Sequence, residues 1–126
     1  MEKSNFKVKV CILISGKGSN LKKLYNFSKL KKFNFLIKLV ISNKKKVQGI
    51  IFSKKKKIKS LIFENKIKFF EKSVKKLIKQ DKIEILCLAG FMRILSPQFL
   101  KEIKIPTINI HPSLLPKFKG LNTHAR

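Results

Sequence analysis

Residues 7–15 start by alternating lysine with apolar side chains and then run continuously apolar through Val10, Cys11, Ile12, Leu13 and Ile14. That switch predicts a parallel strand that enters from an edge and becomes buried on both faces. Leu21, Leu24, Tyr25 and Phe27 follow at helical spacing. Residues 35–42 repeat the strand pattern and end in a polar turn, Ser42-Asn43. A short helix is predicted to begin within 47–52, and a third strand over 59–63. Residues 70–80 carry Val74, Leu77 and Ile78 at i, i+3 and i+4, the signature of a helix that packs one face. Residues 83–89 form the clearest strand. Ser96-Pro97 reads as a helix start, with serine as N-cap and proline in the first turn. Phe99, Leu100 and Ile103 are expected on that helix's apolar face. Residues 107–110 make a last strand.

Strands that alternate with helices predict an α/β fold, a doubly wound, mostly parallel sheet of Rossmann-like type. No internal repeat or linker interrupts the pattern, and 126 residues suit one domain spanning 1–126. The last residues, from Gly120 to Arg126, carry no stop signal, so the fold is expected to be truncated at its C-terminus.

Charge complicates this picture. The chain holds 31 Lys+Arg against 6 Asp+Glu, a formal net charge of +25. Such a surface binds nucleic acid non-specifically and in a salt-sensitive way. Arginine, the side chain whose planar fork reads phosphates and base edges best, occurs only at Arg93 and Arg126. The lysines fall in scattered runs among Ile, Phe and Asn, which suits compositional drift better than a built binding face. No apolar stretch is long enough for a membrane span or a signal peptide, so a cytoplasmic protein is expected. Cys11 and Cys87 lie inside apolar runs, where buried free thiols are the default. No cysteine–histidine cluster suggests a metal.

Three loops carry candidate chemistry. After the first strand comes Ser15-Gly16-Lys17-Gly18-Ser19-Asn20, two glycines followed by a helix start. Free N–H groups and the helix dipole make such a turn an anion site, and a tight strand–helix connection would use the same residues. It has neither the Gly-Lys-Ser/Thr ending of a Walker loop nor the third glycine of a dinucleotide fingerprint. Gly90-Phe91-Met92-Arg93-Ile94-Leu95 leaves the strand of residues 83–89 on the same rim, where apolar and backbone groups suit a flat heteroaromatic ligand. The last strand delivers Asn109 and His111, two residues apart and therefore on one side. An amide donor beside a titratable imidazole fits acyl-type chemistry, although a water-capped strand end would look the same. An anion cradle, an apolar slot and an Asn/His pair together outline a group-transfer enzyme with a phosphorylated acceptor.

Taken together, the blocks Ile14-Ser15-Gly16-Lys17-Gly18-Ser19-Asn20-Leu21, Leu88 through Pro97, and Asn109 through Leu121 resemble the glycinamide ribonucleotide formyltransferases, folate-dependent enzymes of purine synthesis. The resemblance implies transfer of a formyl group from the co-substrate 10-formyltetrahydrofolate to the amine of glycinamide ribonucleotide, without a metal. It implies that Gly18, Ser19 and Asn20 hold the ribonucleotide's phosphate, and that Met92, Arg93, Ile94 and Leu95 line the pteridine slot. Asn109 would bond the formyl oxygen, which also makes it a folate contact, and His111 would act as acid/base beside it.

Members of that family continue past the point matching Arg126. The missing part would supply further strands, a folate loop and an aspartate that pairs with the histidine. Asp81 and Glu84 are expected at the wrong edge of the sheet, and Glu102 turned away, so none replaces it. A complementing C-terminal segment is therefore an expected partner, and a sheet edge with part of the core is expected to stand open. A decayed remnant that binds polyanions is the alternative. Another folate formyltransferase, or formyltetrahydrofolate deformylase, shares part of the last block.

Overall fold

In the computed structural model, residues 7–110 are described. The chain forms β1 (Val8–Ile14), α1 (Ser19–Ser28), β2 (Phe35–Ser42), α2 (Gln48–Lys55), β3 (Lys59–Ile62), α3 (Ile67–Gln80), β4 (Ile85–Ala89), α4 (Pro97–Ile103) and β5 (Thr107–Ile110). All four strand pairings are parallel. The five-stranded sheet has the order β3-β2-β1-β4-β5. From β1 the chain steps outward to β2 and β3, then crosses back to build β4 and β5 on the other side. The reversal leaves a topological switch point between β1 and β4, where open α/β sheets bind ligands at the strands' C-terminal ends.

The alternating and continuous apolar runs explain the two layers. In β1, Cys11 and Leu13 point to one face and Ile12 and Ile14 to the other, and all four are fully buried. The first pair joins a core with Phe70, Val74 and Ile78 of α3 and with Phe99 and Ile103 of α4. The second pair packs with Leu21 and Leu24 of α1 and Ile50 of α2. Phe70, Val74 and Ile78 stand at i, i+4 and i+8, so one stripe of α3 carries its packing.

Helix ends place lysine where glycine is usual. After α2, the Lys57 N–H donates to the Lys54 carbonyl at 3.0 Å and the Ile58 N–H to Ser53 at 2.9 Å. After α3, Lys82 donates to Lys79 at 3.2 Å and Ile83 to Ile78 at 2.9 Å. Both are Schellman closures, whose left-handed position usually falls to glycine. Here lysine takes it, at φ 60° for Lys57 and 55° for Lys82, and Lys104 closes α4 at φ 55°.

The structure bears out the α/β, doubly wound expectation and moves a few boundaries. Helix α3 starts three residues before the expected Phe70, because the Lys66 carbonyl already accepts from the N–H groups of Phe69 and Phe70, each at 3.0 Å. Strand β4 starts at Ile85, since the Ile83 N–H is spent on closing α3. Leu100, expected in the core, is exposed. In a seven-residue helix the stripe through Phe99 and Ile103 is enough to seat it. Both cysteines are buried and free, as expected. No helix among the described residues is long and apolar enough to cross a membrane.

Candidate active site

The loop after β1 turns at Gly18, whose φ of 80° lies in the left-handed region. A Cβ there would sit 2.6 Å from the Gly49 Cα, and one on Gly49 would collide with the Ile14 side chain. The two glycines thus let the loop and the start of α2 touch backbone to backbone. Gly18 is also the N-cap of α1 and supplies no side-chain hydrogen bond, and the first turn of α1 carries no acidic residue. The N–H groups of that turn are left for a ligand or water, and nothing there repels an anion. Asn20 is buried, and its Oδ1 lacks a hydrogen-bond partner. A buried polar atom in that state is costly unless something pairs with it.

The loop after β4 leaves through Gly90, at φ 75°. Phe91 turns inward and stacks on Phe70, ring centroids 5.2 Å apart and 22° between planes, and Leu95 is buried. Between them Met92 is 75% exposed and Ile94 90% exposed, and Arg93 is half-buried. Two large apolar side chains held out to water beside the glycine loop offer the kind of surface a flat apolar ligand needs. The loop is pinned at its far end by Glu71. Its carboxylate accepts from the Ser96 N–H at 2.6 Å and from the Ser96 hydroxyl at 2.9 Å, while Ser96 Oγ caps α4 by accepting from the Phe99 N–H at 3.1 Å.

The near end of the same loop is tied across the switch point. The Met92 N–H donates to Ser15 Oγ at 2.8 Å, and the Ser15 hydroxyl donates to Asn43 Oδ1 at 2.6 Å. Ser15, at the end of β1, and Asn43, after β2, are both buried. Sequence reasoning noticed Ser42-Asn43 only as a polar turn and did not single out Glu71. A polar residue placed directly after a continuously apolar strand was the available signal for Ser15 and Asn43.

Asn109 lies in β5, opposite Leu88 of β4, with its side chain exposed at the same rim. Strand β5 is two positions from β1, roughly 10 Å away. The described structure thus brings the phosphate-type loop, the apolar loop and Asn109 to one edge, with no direct hydrogen bond between Asn109 and the other two. His111 lies outside the described residues, as do the positions of its block that follow it. The described carboxylates are committed elsewhere. Glu64 pairs with Lys45 at 3.7 Å, Asp81 with Lys59 at 3.1 Å and Glu102 with Lys75 at 2.7 Å. Glu84 accepts from the Lys9 N–H at 2.8 Å, and Glu71 holds Ser96. The Glu102 carboxyl is held below its usual range, mainly by its hydrogen bond from Lys75. Among the described residues no group of His, Cys, Asp and Glu could hold a metal ion.

The fold defines a Rossmann-like α/β protein, with the glycine loop after β1 and the loop after β4 on either side of the β1/β4 switch point. The chain belongs to the formyl transferase family, which matches residues 8–126. It is 43% identical over 122 residues to the trifunctional purine biosynthetic protein adenosine-3 of Gallus gallus, covering 94% of this chain and 12% of that protein. It is 33% identical to the phosphoribosylglycinamide formyltransferase of Haemophilus influenzae, covering 94% of this chain and 58% of that one. The crystal structure of phosphoribosylglycinamide formyltransferase from Brucella melitensis superposes with a TM-score of 0.78 at 34% identity, over 96% of this chain and 65% of that one. The chain therefore spans less than two thirds of the length of these relatives.

Proposed function

We propose that this chain takes part in transferring a formyl group from 10-formyltetrahydrofolate to the amine of glycinamide ribonucleotide. The observation that carries the reading is the meeting, at one switch point, of an uncapped helix start behind glycines and a loop that holds Met92 and Ile94 out to water. The relatives named above share this chain's sequence over most of its length and are named for purine biosynthesis or for this formyl transfer.

Gly18, Ser19 and Asn20 receive the phosphate of the ribonucleotide on the positive end of α1. Met92, Arg93, Ile94 and Leu95 form the pteridine slot, with Leu95 as its buried base. The substrate amine attacks the formyl carbon, forming a C–N bond and a tetrahedral alkoxide. Collapse of that alkoxide breaks the bond to the folate nitrogen, which takes up the proton lost by the amine. Asn109 donates to the developing oxyanion, and His111 moves the proton and supplies cationic stabilisation. The amine is itself the nucleophile, so Cys11 and Cys87 have no part in the chemistry.

The test is formyl transfer by the purified chain, with and without a polypeptide matching the length its relatives carry beyond this one. Asn109→Ala is expected to lower the rate by roughly 100-fold, as loss of one oxyanion donor does. Turnover indistinguishable from the Asn109→Ala control, under both conditions, overturns the reading.

A further inference from the structure

We propose that Ser15 and Asn43 act as a positioning pair that fixes the pteridine-side loop against the phosphate-side loop. The proposal deepens the reading above and rests on it. Its basis is the hydrogen-bond chain from Met92 N–H to Ser15 Oγ, 2.8 Å, and from the Ser15 hydroxyl to Asn43 Oδ1, 2.6 Å.

A hydroxyl has one proton to give. With that proton committed to Asn43, Ser15 can meet Met92 only as an acceptor, and the backbone N–H of Met92 is the matching donor. Asn43 thereby sets the direction of the chain, and each bond polarises the next. Its three members come from the ends of β1 and β2 and from the loop after β4, so the chain spans the switch point. Ser15 opens the segment that reaches Gly18 only three residues later. The buried hydroxyl therefore stands at the root of the glycine loop, while its own bonds go to Asn43 and to the backbone that carries the folate contacts.

The rest of the loop shows why the tie matters. Phe91 is anchored on Phe70, Leu95 in the core and Ser96 on Glu71. Met92 is the exposed residue between these anchors whose backbone is also fixed, and the bond to Ser15 is what fixes it. Without it, the span carrying Met92, Arg93 and Ile94 keeps its two ends and loses its set height over the crevice. A donor and acceptor placed by buried partners preorganise a site at little entropic cost on binding.

The experiment uses Ser15→Ala, with Ser15→Thr to restore the hydroxyl and Asn43→Leu to remove its acceptor. Circular dichroism checks that each variant is folded. Hydrogen exchange reports the Met92 amide, and calorimetry measures binding of 10-formyltetrahydrofolate and of glycinamide ribonucleotide separately. In Ser15→Ala the Met92 amide is expected to exchange about 10-fold faster and the folate to bind about 10-fold more weakly. The ribonucleotide affinity stays within about twofold, and Ser15→Thr recovers both losses. Faster exchange with unchanged folate affinity overturns the positioning role and leaves the proposed function standing. Equal weakening of both ligands overturns it as well, since a general loss of structure would do that. If the wild-type chain binds neither compound, the proposed function fails, and an unchanged Met92 exchange rate in Ser15→Ala then overturns the pair too.

Discussion

The two faces of the sheet are closed to different extents. On one, α3 and α4 lay Phe70, Val74, Ile78, Phe99 and Ile103 across β1, β2 and β4, and Phe63 and Phe91 seal the margins around Phe70. On the other, α1 and α2 cover the side of the sheet that holds β1 and β2. Beyond them, Val8, Val10 and Ile85, with Cys87, Ile108 and Ile110, line an apolar cavity of about 270 Å³. Ile108 is 42% exposed. An apolar surface of this kind beside an outer strand invites association. The rim proposed as the active site straddles both regions, with the glycine loop on the closed part of the second face and Asn109 on the edge strand β5.

Substitutions on the two faces should separate them. Phe70→Ala removes a fully buried ring from the closed face and is expected to cost about 4 kcal/mol in urea unfolding. A cost no larger than that of Ile108→Ser would collapse the distinction. Next in size is Glu71→Ala, which strands the Ser96 N–H and hydroxyl at the end of the loop after β4. About 2 kcal/mol should be lost, with faster exchange of the amides of residues 91–96.

The thiols reduce the comparison to one functional group on each face. Burial first, and then the neighbouring Cys87 and Asp81, raise the Cys11 thiol well beyond its usual range, whereas burial brings Cys87 to about 11. A raised thiol pKa favours the neutral form in the fold. Stability is therefore full below the unfolded-state value near 9 and falls as pH climbs through about 11. Each thiol adds at most about 1.4 kcal/mol per pH unit to that slope. Cys87→Ala should flatten the part between pH 9 and 11, and Cys87 should react with iodoacetamide before Cys11. Equal reactivity would mean that the cavity admits no more than the closed face does.

Smaller still, Lys82→Gly relieves a left-handed lysine behind α3 and is expected to stabilise by about 1 kcal/mol. Ile108→Ser should leave stability within about 1 kcal/mol and lower whatever self-association the unmodified chain shows in sedimentation. Unchanged association would remove the open face as its cause.

Most of the element order was legible because local signals agreed. Continuous apolar runs of strand length, bounded by polar turns, suit interior parallel strands, the stripe of α3 has the helical period, and Ser96-Pro97 marks a start by its own hydrogen bonding. The glycine loop and the apolar loop were legible as candidate sites for the same reason, since each stands between a strand and a helix. Leu100 was misplaced because periodicity places a residue on a helix without saying how wide the buried stripe is. Glu71 escaped because a carboxylate in a lysine-rich helix looks like any solvated charge until its partner, 25 residues away, is in place.

By itself, then, the sequence determined the alternation of strands and helices, most of the buried apolar runs and the two glycine-bearing loops. These follow from periodicity and from the chemistry of glycine, proline and serine within a few neighbours. Only the tertiary structure decided the strand order β3-β2-β1-β4-β5 and, with it, the switch point. It alone joined Ser15 to Asn43 and to Met92, a partner 77 positions away. Such pairings depend on which strand lies beside which, and that is settled by how whole layers pack rather than by any local pattern.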